Sequence, residues 1–288
     1  MMKHRTLRAE GLMRGLFLAS ACVCVLAVFF ISAFLFVNGL PFFAKYSARD
    51  FITGTEWAPL RDVFGILPMI VGSFYVTFIA LLIGAPIGVF TAILLACFAP
   101  KPVVKVMKPA VALLAGIPSV VYGFFGLMVL VPLSRTLFGG TGKSVLVASV
   151  LLSIMVLPTI IQTSEAAIRA VPQNYYEGSL ALGATHESSV FRAVVPAARS
   201  GIISGIVLGL GRAIGETMAI IMVAGNNPRM PGNILSGVRT LTVNVLMEMG
   251  YAADVHLESL IATGVVLFVI VMAINFLFSF ITRKRIAQ

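Results

Sequence analysis

Residues 66–99 read ILPMIVGSFYVTFIALLIGAPIGVFTAILLACFA, 34 residues without one Asp, Glu, Lys or Arg. A soluble domain cannot shelter such a run, because its surface must face water. A bilayer can, since a spanning helix needs roughly 20 apolar residues in succession. As one helix the run would be about 50 Å long, against a hydrocarbon core of about 30 Å. It must tilt, protrude or break, and Gly84, Pro86 and Gly88 mark the expected kink.

Apolar runs continue on both sides, at 15–37, 109–133, 144–164, 201–224 and 259–281, with Pro118 inside the third span and Pro158 near the end of the fourth. Of 288 residues, 59% are hydrophobic and 11% charged, whereas a soluble domain carries about a quarter charged residues. The expected fold is all-α: a polytopic integral membrane protein with six transmembrane helices. No internal repeat, low-complexity tract or separate soluble domain stands out. Lys3, Arg5, Arg8 and Arg14 before the first run resemble the start of a signal peptide. A signal core has about 7–15 apolar residues; this run is longer and no A-x-A-type cleavage site follows. It is read as a retained first span.

The net charge of +10 is distributed by loop. With the N-terminus in the cytoplasm, 13 of the Lys and Arg residues fall inside and 7 outside, with Arg212 left within a span. Lys101, Lys105, Lys108 and the Arg283-Lys284-Arg285 tail weigh most. The positive-inside rule then puts both termini in the cytoplasm. Residues 38–65 and 225–258 face out, and 165–200 face in. No water-facing segment is long enough for a basic nucleic-acid-binding domain.

The fifth span carries Arg212 and Glu216 among Ile206-Val207-Leu208 and Ile220-Ile221-Met222. A charge at mid-membrane costs about 2.5–3.5 kcal/mol even on the lenient insertion scale. The i,i+4 spacing predicts that both lie on one helix face and pair. A guanidinium offers a planar fork of donors to phosphate or carboxylate oxygens. The pair is therefore expected on a translocation route, with Glu216 holding Arg212 when no anion is present; the alternative is an ion pair that only fixes packing. Gly201, Gly205 and Gly209, then Gly211 and Gly215, predict close approach of another helix or subunit.

In 165–200, Pro172 can open a helix, Gly183 can end it, and Thr185 can cap a second that stops before Pro196. These helices would present Tyr175, Tyr176, Leu180 and Leu182 to a protein partner or to lipid headgroups.

Other patterns carry no chemistry. Gly142-Lys143-Ser144 resembles the end of a phosphate-binding loop, but position 137 is Leu137 and no βαβ unit surrounds it. Gly209-Leu210-Gly211 lies inside a membrane span, so it is no dinucleotide fingerprint. His4, His186 and His256 form no credible catalytic set. Cys22, Cys24 and Cys97 read as small apolar fillers, without the spacing of a zinc site. No metal site, bound cofactor or enzymatic centre is expected in this chain.

Within the inside loop, Glu177-Gly178-Ser179, three residues, Gly183, nine residues and Ala193-Val194-Val195-Pro196 resemble the cytoplasmic signature of ABC-importer permeases, E-A-A-x3-G-x9-I-x-L-P. Glu, Gly and Pro match at their spacing; the Ala, Ile and Leu positions differ. The stretches Gly116-Ile117-Pro118-Ser119-Val120-Val121-Tyr122-Gly123 and Gly211-Arg212-Ala213-Ile214-Gly215-Glu216-Thr217-Met218-Ala219 resemble segments of phosphate ABC permeases. Val238-Arg239-Thr240-Leu241-Thr242 with Asn244 is similar to the outside loop of the PstC-type subunit.

This resemblance implies the MetI-like fold of type I importers. A cytoplasmic tail (1–14) and a first helix (15–37) would precede an ABC permease domain (66–281) with its coupling loop (165–200), and a cytoplasmic tail (282–288) would follow. It implies a bacterial inner-membrane location and a heterodimer with a PstA-type permease. Two copies of an ATPase would dock on 177–196 through residues including Tyr175, Glu177, Leu180, Gly183 and Pro196. A periplasmic phosphate-binding protein would load the outer face, and Arg212 and Glu216 would belong to the phosphate route. The competing readings are an ABC permease for a related oxyanion, an ion-coupled secondary anion transporter with Glu216 as proton carrier, and a membrane scaffold or sensor.

Overall fold

The computed structural model describes the backbone of residues 2–286 and the side chains of residues 13–278 and 280. Lys3, His4, Arg5, Arg8 and the Arg283-Lys284-Arg285 tail lie outside the described side chains. The described chain is mostly helical, with an irregular stretch at residues 225–240 and one small antiparallel hairpin, in which Trp57–Ala58 pairs with Val63–Phe64. In order, the elements are α1 (Met2–Lys45), α2 (Ala48–Thr53), the hairpin, α3 (Leu67–Ile93) with a π turn (Leu94–Phe98), α4 (Lys101–Gly116), α5 (Ser119–Phe125) with a π turn (Gly126–Leu130), and α6 (Val131–Phe138). Then come α7 (Val145–Arg169), α8 (Gln173–Ala181), α9 (His186–Ser189) with a π turn (Val190–Val194), α10 (Val195–Ala197), α11 (Arg199–Gly215), α12 (Met218–Val223), α13 (Leu241–Glu248) and α14 (Asp254–Ile286). Among the described residues, five helical stretches are long and apolar enough to span a membrane, and Arg199–Gly215, bent by 67° from His186–Ala197, provides a sixth when the two are taken together.

The bundle is built around α7. Its most apolar window is 67% buried, while that of α1 is wholly unburied and apolar all round, as suits a lipid-facing helix. Helix α3 packs on α7 through Gly84 and Gly88: a Cβ there would stand 3.1 Å from the Ser153 carbonyl and 2.8 Å from Ile160 Cγ2. Helix α3 runs unbroken through Pro86 from Leu67 to Ile93, and the glycines on either side of that proline serve close packing on α7. Excess length is handled at the far end, where Ala92 and Ile93 pack with Val190, Val194 and Ala198 rather than with lipid.

The glycine ladder meets α7 as well. A Cβ at Gly201 would lie 2.3 Å from Ala167 Cβ, and one at Gly209 would lie 2.9 Å from Ile160 Cγ1. Gly211 and Gly215 face open space. At the hairpin end, Phe42, Phe51 and Phe64 are fully buried with Leu241 and Leu260, and α1 leans on α14 where Gly39 meets Val265.

Two expected spans require correction. The third, 109–133, straddles two helices, since Ile117 and Pro118 are extended (ψ 127° and 140°) and α5 starts at Ser119. The ring of Pro118 drives Ile117 out of the helical region and Pro118 has no N–H to give. The span is therefore Ser119–Phe138. The fifth, 201–224, is interrupted at Glu216 and Thr217. In the loop 165–200, Pro172, Gly183 and Thr185 act as expected, but the second helical stretch passes through Pro196 to Ala197 before bending by 67° into α11.

Candidate functional site

Helix α11 stops at Gly215. Glu216 is extended (φ −69°, ψ 128°), so it leaves the face it would have shared with Arg212. The predicted i,i+4 pair is not formed. Glu216 Oε1 instead accepts the Ala219 N–H at 3.1 Å and caps α12. Its backbone carbonyl accepts the Thr242 hydroxyl at 3.2 Å. Irregular backbone within a membrane bundle is tolerated where protein buries it or where it lines a wet cavity. Protein backs the break on one side, where α13 meets the Glu216 carbonyl, while Gly215 and Met218 beside it are exposed.

Arg212 is half-buried on α11. Among the described residues its one hydrogen bond runs from Nη1 to Thr159 Oγ1 on α7, at 3.5 Å, and no carboxylate lies within ion-pair distance. Tyr122 on α5 lies in electrostatic range of the guanidinium and donates its hydroxyl to the Leu114 carbonyl at 2.9 Å. Helix α5 is seated on α12 through Gly123, where a Cβ would fall 2.9 Å from Ala219 Cα. The two interruptions, at Ile117–Pro118 and Glu216–Thr217, thus flank helices that pack on each other. A guanidinium with most of its donors unspent in this setting can receive an oxyanion and release it.

Sequence reasoning found Arg212 and Glu216 but missed Thr159, Tyr122 and Thr242 as their neighbours. Tyr122 lay inside a stretch singled out for resemblance, without a role. The signature around Arg239 proves structural in its contacts. Arg239 Nη1 donates to Glu248 Oε1 at 2.6 Å and to Asn244 Oδ1 at 3.0 Å, and its Nε donates to the Asn226 carbonyl at 3.1 Å. Glu248 Oε2 accepts Trp57 Nε1–H and meets His256 Nε2, each at 2.9 Å. His256, dismissed for catalysis, belongs to this buried network.

At the other end of the bundle, α8 exposes Tyr175, Glu177 and Leu180. Leu182 is 91% exposed, so no described part of this chain covers it. Gly183 takes a left-handed φ of 85°, and Thr185 accepts the Ser188 N–H to start α9. Tyr176 turns inward, its hydroxyl 2.9 Å from His186 Nδ1. Glu177, Gly183 and Pro196 are exposed and lie far along the bundle from Arg212; the structure brings them into no common site with it.

These features define a membrane-spanning transport subunit, with an interrupted helix beside an intramembrane cation and an apolar handle outside the bundle. Residues 84–286 match the family described as binding-protein-dependent transport system inner membrane component, and the chain belongs to that family. It is 38% identical over 94% of its length to the Bacillus subtilis protein named Probable ABC transporter permease protein YqgH, covering 91% of that protein. The Mesorhizobium japonicum phosphate transport system permease protein PstC is 35% identical, over 78% of this chain and 75% of that one. The inward-facing MetNI methionine ABC transporter shares the fold, with a TM-score of 0.62 at 20% identity over 80% of this chain and 99% of that one. A bacterial alginate ABC transporter does so with a TM-score of 0.60 at 16% identity, over 93% and 94%. The protein is thus a multi-pass inner-membrane permease subunit of an ABC importer with the MetI-type fold. It is not an enzyme: ATP hydrolysis lies in a separate subunit, and a substrate-binding protein is a further partner.

Proposed function

We propose that the cargo is inorganic phosphate and that this chain forms half of its route, the other half coming from a PstA-type permease. The observation that carries this reading is Arg212, a guanidinium within the bundle that no carboxylate neutralises among the described residues. Such a residue is costly unless an anion or water visits it. The PstC name of several relatives supports phosphate as that anion.

In this reading Glu216 shapes the break beside Arg212 and does not itself pair with it. Two copies of a cytoplasmic ATPase grip the 177–196 loop through Tyr175, Glu177 and Leu180. Gly183 sets the turn and Pro196 the start of the bend into the membrane. A periplasmic phosphate-binding protein loads the opposite face, and both termini are cytoplasmic. ATP binding biases a two-state rearrangement between outward and inward openings. This chain binds no cofactor, and Arg212 holds the anion weakly enough to let it leave.

The test is reconstitution of the four kinds of subunit in vesicles. Wild type should take up phosphate on ATP addition, and Arg212→Gln should not. Full uptake by Arg212→Gln would remove this residue from the mechanism. Uptake driven by a proton gradient without ATP would remove the importer reading.

A further inference from the structure

The π turn at the end of α3 leaves one carbonyl without a backbone donor. In an α-helix the Ala99 N–H would go to Leu95. Here it goes to the Leu94 carbonyl, at 2.7 Å. The next residue, Pro100, has no N–H to offer. The Leu95 carbonyl is instead met by Arg169 Nη2, at 2.6 Å. Arg169 is the last residue of α7, three positions before Pro172 opens α8.

The same guanidinium turns its Nε to Glu165 Oε1, at 2.6 Å, and that oxygen also receives Lys108 Nζ from α4, at 2.7 Å. Glu165 is buried. One carboxylate thus joins two cations, and one guanidinium joins a carboxylate to a backbone carbonyl. Helices α3, α4 and α7 are tied at a single point. Arg169 also walls two cavities. One, of about 410 Å³, is lined by Lys108, Gln162 and Glu165; the other, of about 440 Å³, lies under α8 and is lined by Gln173, Tyr176 and His186.

We propose that Arg169 is the positioning residue that carries movement of the 177–196 loop into the bundle. This rests on the reading of that loop as the ATPase dock. The load passes from α8 through the Pro172 corner to Arg169, and from there to α3 through Leu95 and to α4 through Glu165 and Lys108. Helix α4 leads on to Leu114, whose carbonyl holds the Tyr122 hydroxyl beside Arg212. From Arg169 to Tyr122 every link is a hydrogen bond, an ion pair or a helix, and Tyr122 then lies within electrostatic range of Arg212, the kind of contiguous network through which two sites can be coupled. The guanidinium suits this because its Nε and Nη2 point at two acceptors at once. A Lys ammonium gives all its donors from one nitrogen and lacks this rigid fork, so it holds two separated acceptors less firmly.

The experiment reads transmission without depending on which anion is carried. In a background of Cys22→Ser, Cys24→Ser and Cys97→Ser, Met218→Cys beside the break reports opening through its maleimide labelling rate. The assembled complex is compared before and after trapping with ATP and vanadate. Wild type should change its labelling rate by about fivefold or more, within the range of network coupling energies. Arg169→Lys should still co-purify the ATPase and keep basal ATP hydrolysis, yet show less than about a twofold change. Arg169→Met should behave likewise.

A full nucleotide response in Arg169→Lys would overturn the proposal. So would parallel loss of ATPase docking and response, since that is a folding defect. No response in wild type would overturn both the clamp and the docking loop. A responsive wild type that imports no phosphate would overturn the choice of anion and leave the clamp standing.

Discussion

Arg212 and Glu216 are four residues apart in sequence and turned to different partners in space. The helix that would align them ends at Gly215. Arg212 reaches Thr159 on α7, and Glu216 caps α12 through the Ala219 N–H. The two charges therefore have separable roles. Glu216→Gln keeps an oxygen acceptor for Ala219 and should leave uptake within about threefold of wild type, because a neutral cap side chain still serves. Glu216→Ala removes the acceptor and should lower the stability of the break by about 1 kcal/mol. Arg212→Gln should cut uptake by at least about tenfold, as hydrogen bonds to charged groups contribute about 1.5–3 kcal/mol. Uptake of labelled phosphate and thermal unfolding in detergent separate these effects. A loss in Glu216→Gln as deep as that in Arg212→Gln would restore the direct pair.

The ladder on α11 separates into positions that touch and positions that do not. Gly201→Ala would drive a Cβ to 2.3 Å from Ala167 Cβ, an atom with no rotamer to escape into. Overpacking of this kind costs about 1–3 kcal/mol. Gly211→Ala meets nothing within 4 Å and should stay within about 0.5 kcal/mol of wild type. Thermal unfolding of the two variants side by side checks this. Equal melting temperatures would mean that α11 and α7 stand further apart than described.

Arg239 and Glu248 are 11% and 8% exposed at their side chains. Arg239→Met would leave Glu248 buried with only Trp57 and His256 for company. Breaking a buried pair from one side costs about 3–5 kcal/mol. Glu248→Gln keeps an acceptor and should cost less. If Arg239→Met unfolds no earlier than Glu248→Gln, the network contributes little and the signature around Arg239 must answer to a partner instead.

The number of spans was legible because long apolar runs, all but the fifth free of charge, have no alternative to lipid. Their interruptions were not. Pro118 was visible, but periodicity and hydropathy run smoothly across it, so 109–133 looked like one helix. The break at Glu216 left no mark either: no Pro follows it, and an i,i+4 pair is what an unbroken helix would show. The caps of the 165–200 loop were readable because Pro, Gly and Thr act locally. Contacts such as Arg169 with Leu95, or Glu248 with Trp57, join residues 74 and 191 positions apart. No local pattern encodes them, and π turns have no residue signature to announce the carbonyl that they free.

The loop 165–200 offers a last prediction, in which fold and docking can be told apart. Gly183 sits at φ 85°, where a Cβ costs about 1–2 kcal/mol and Asn is the best tolerated substitute. Nothing lies within 4 Å of a Cβ there, so the cost is backbone strain alone. Gly183→Val should loosen the turn between α8 and α9 and weaken ATPase capture, while Gly183→Asn should retain it. Leu182→Asp changes a side chain that is 91% exposed and should leave thermal unfolding untouched. On the docking reading it replaces an exposed apolar contact with a charge, and co-purification of the ATPase should fall by about tenfold or more. Undiminished capture by Leu182→Asp, with Gly183→Val still impaired, would move the grip from the end of α8 to its exposed side at Tyr175, Glu177 and Leu180.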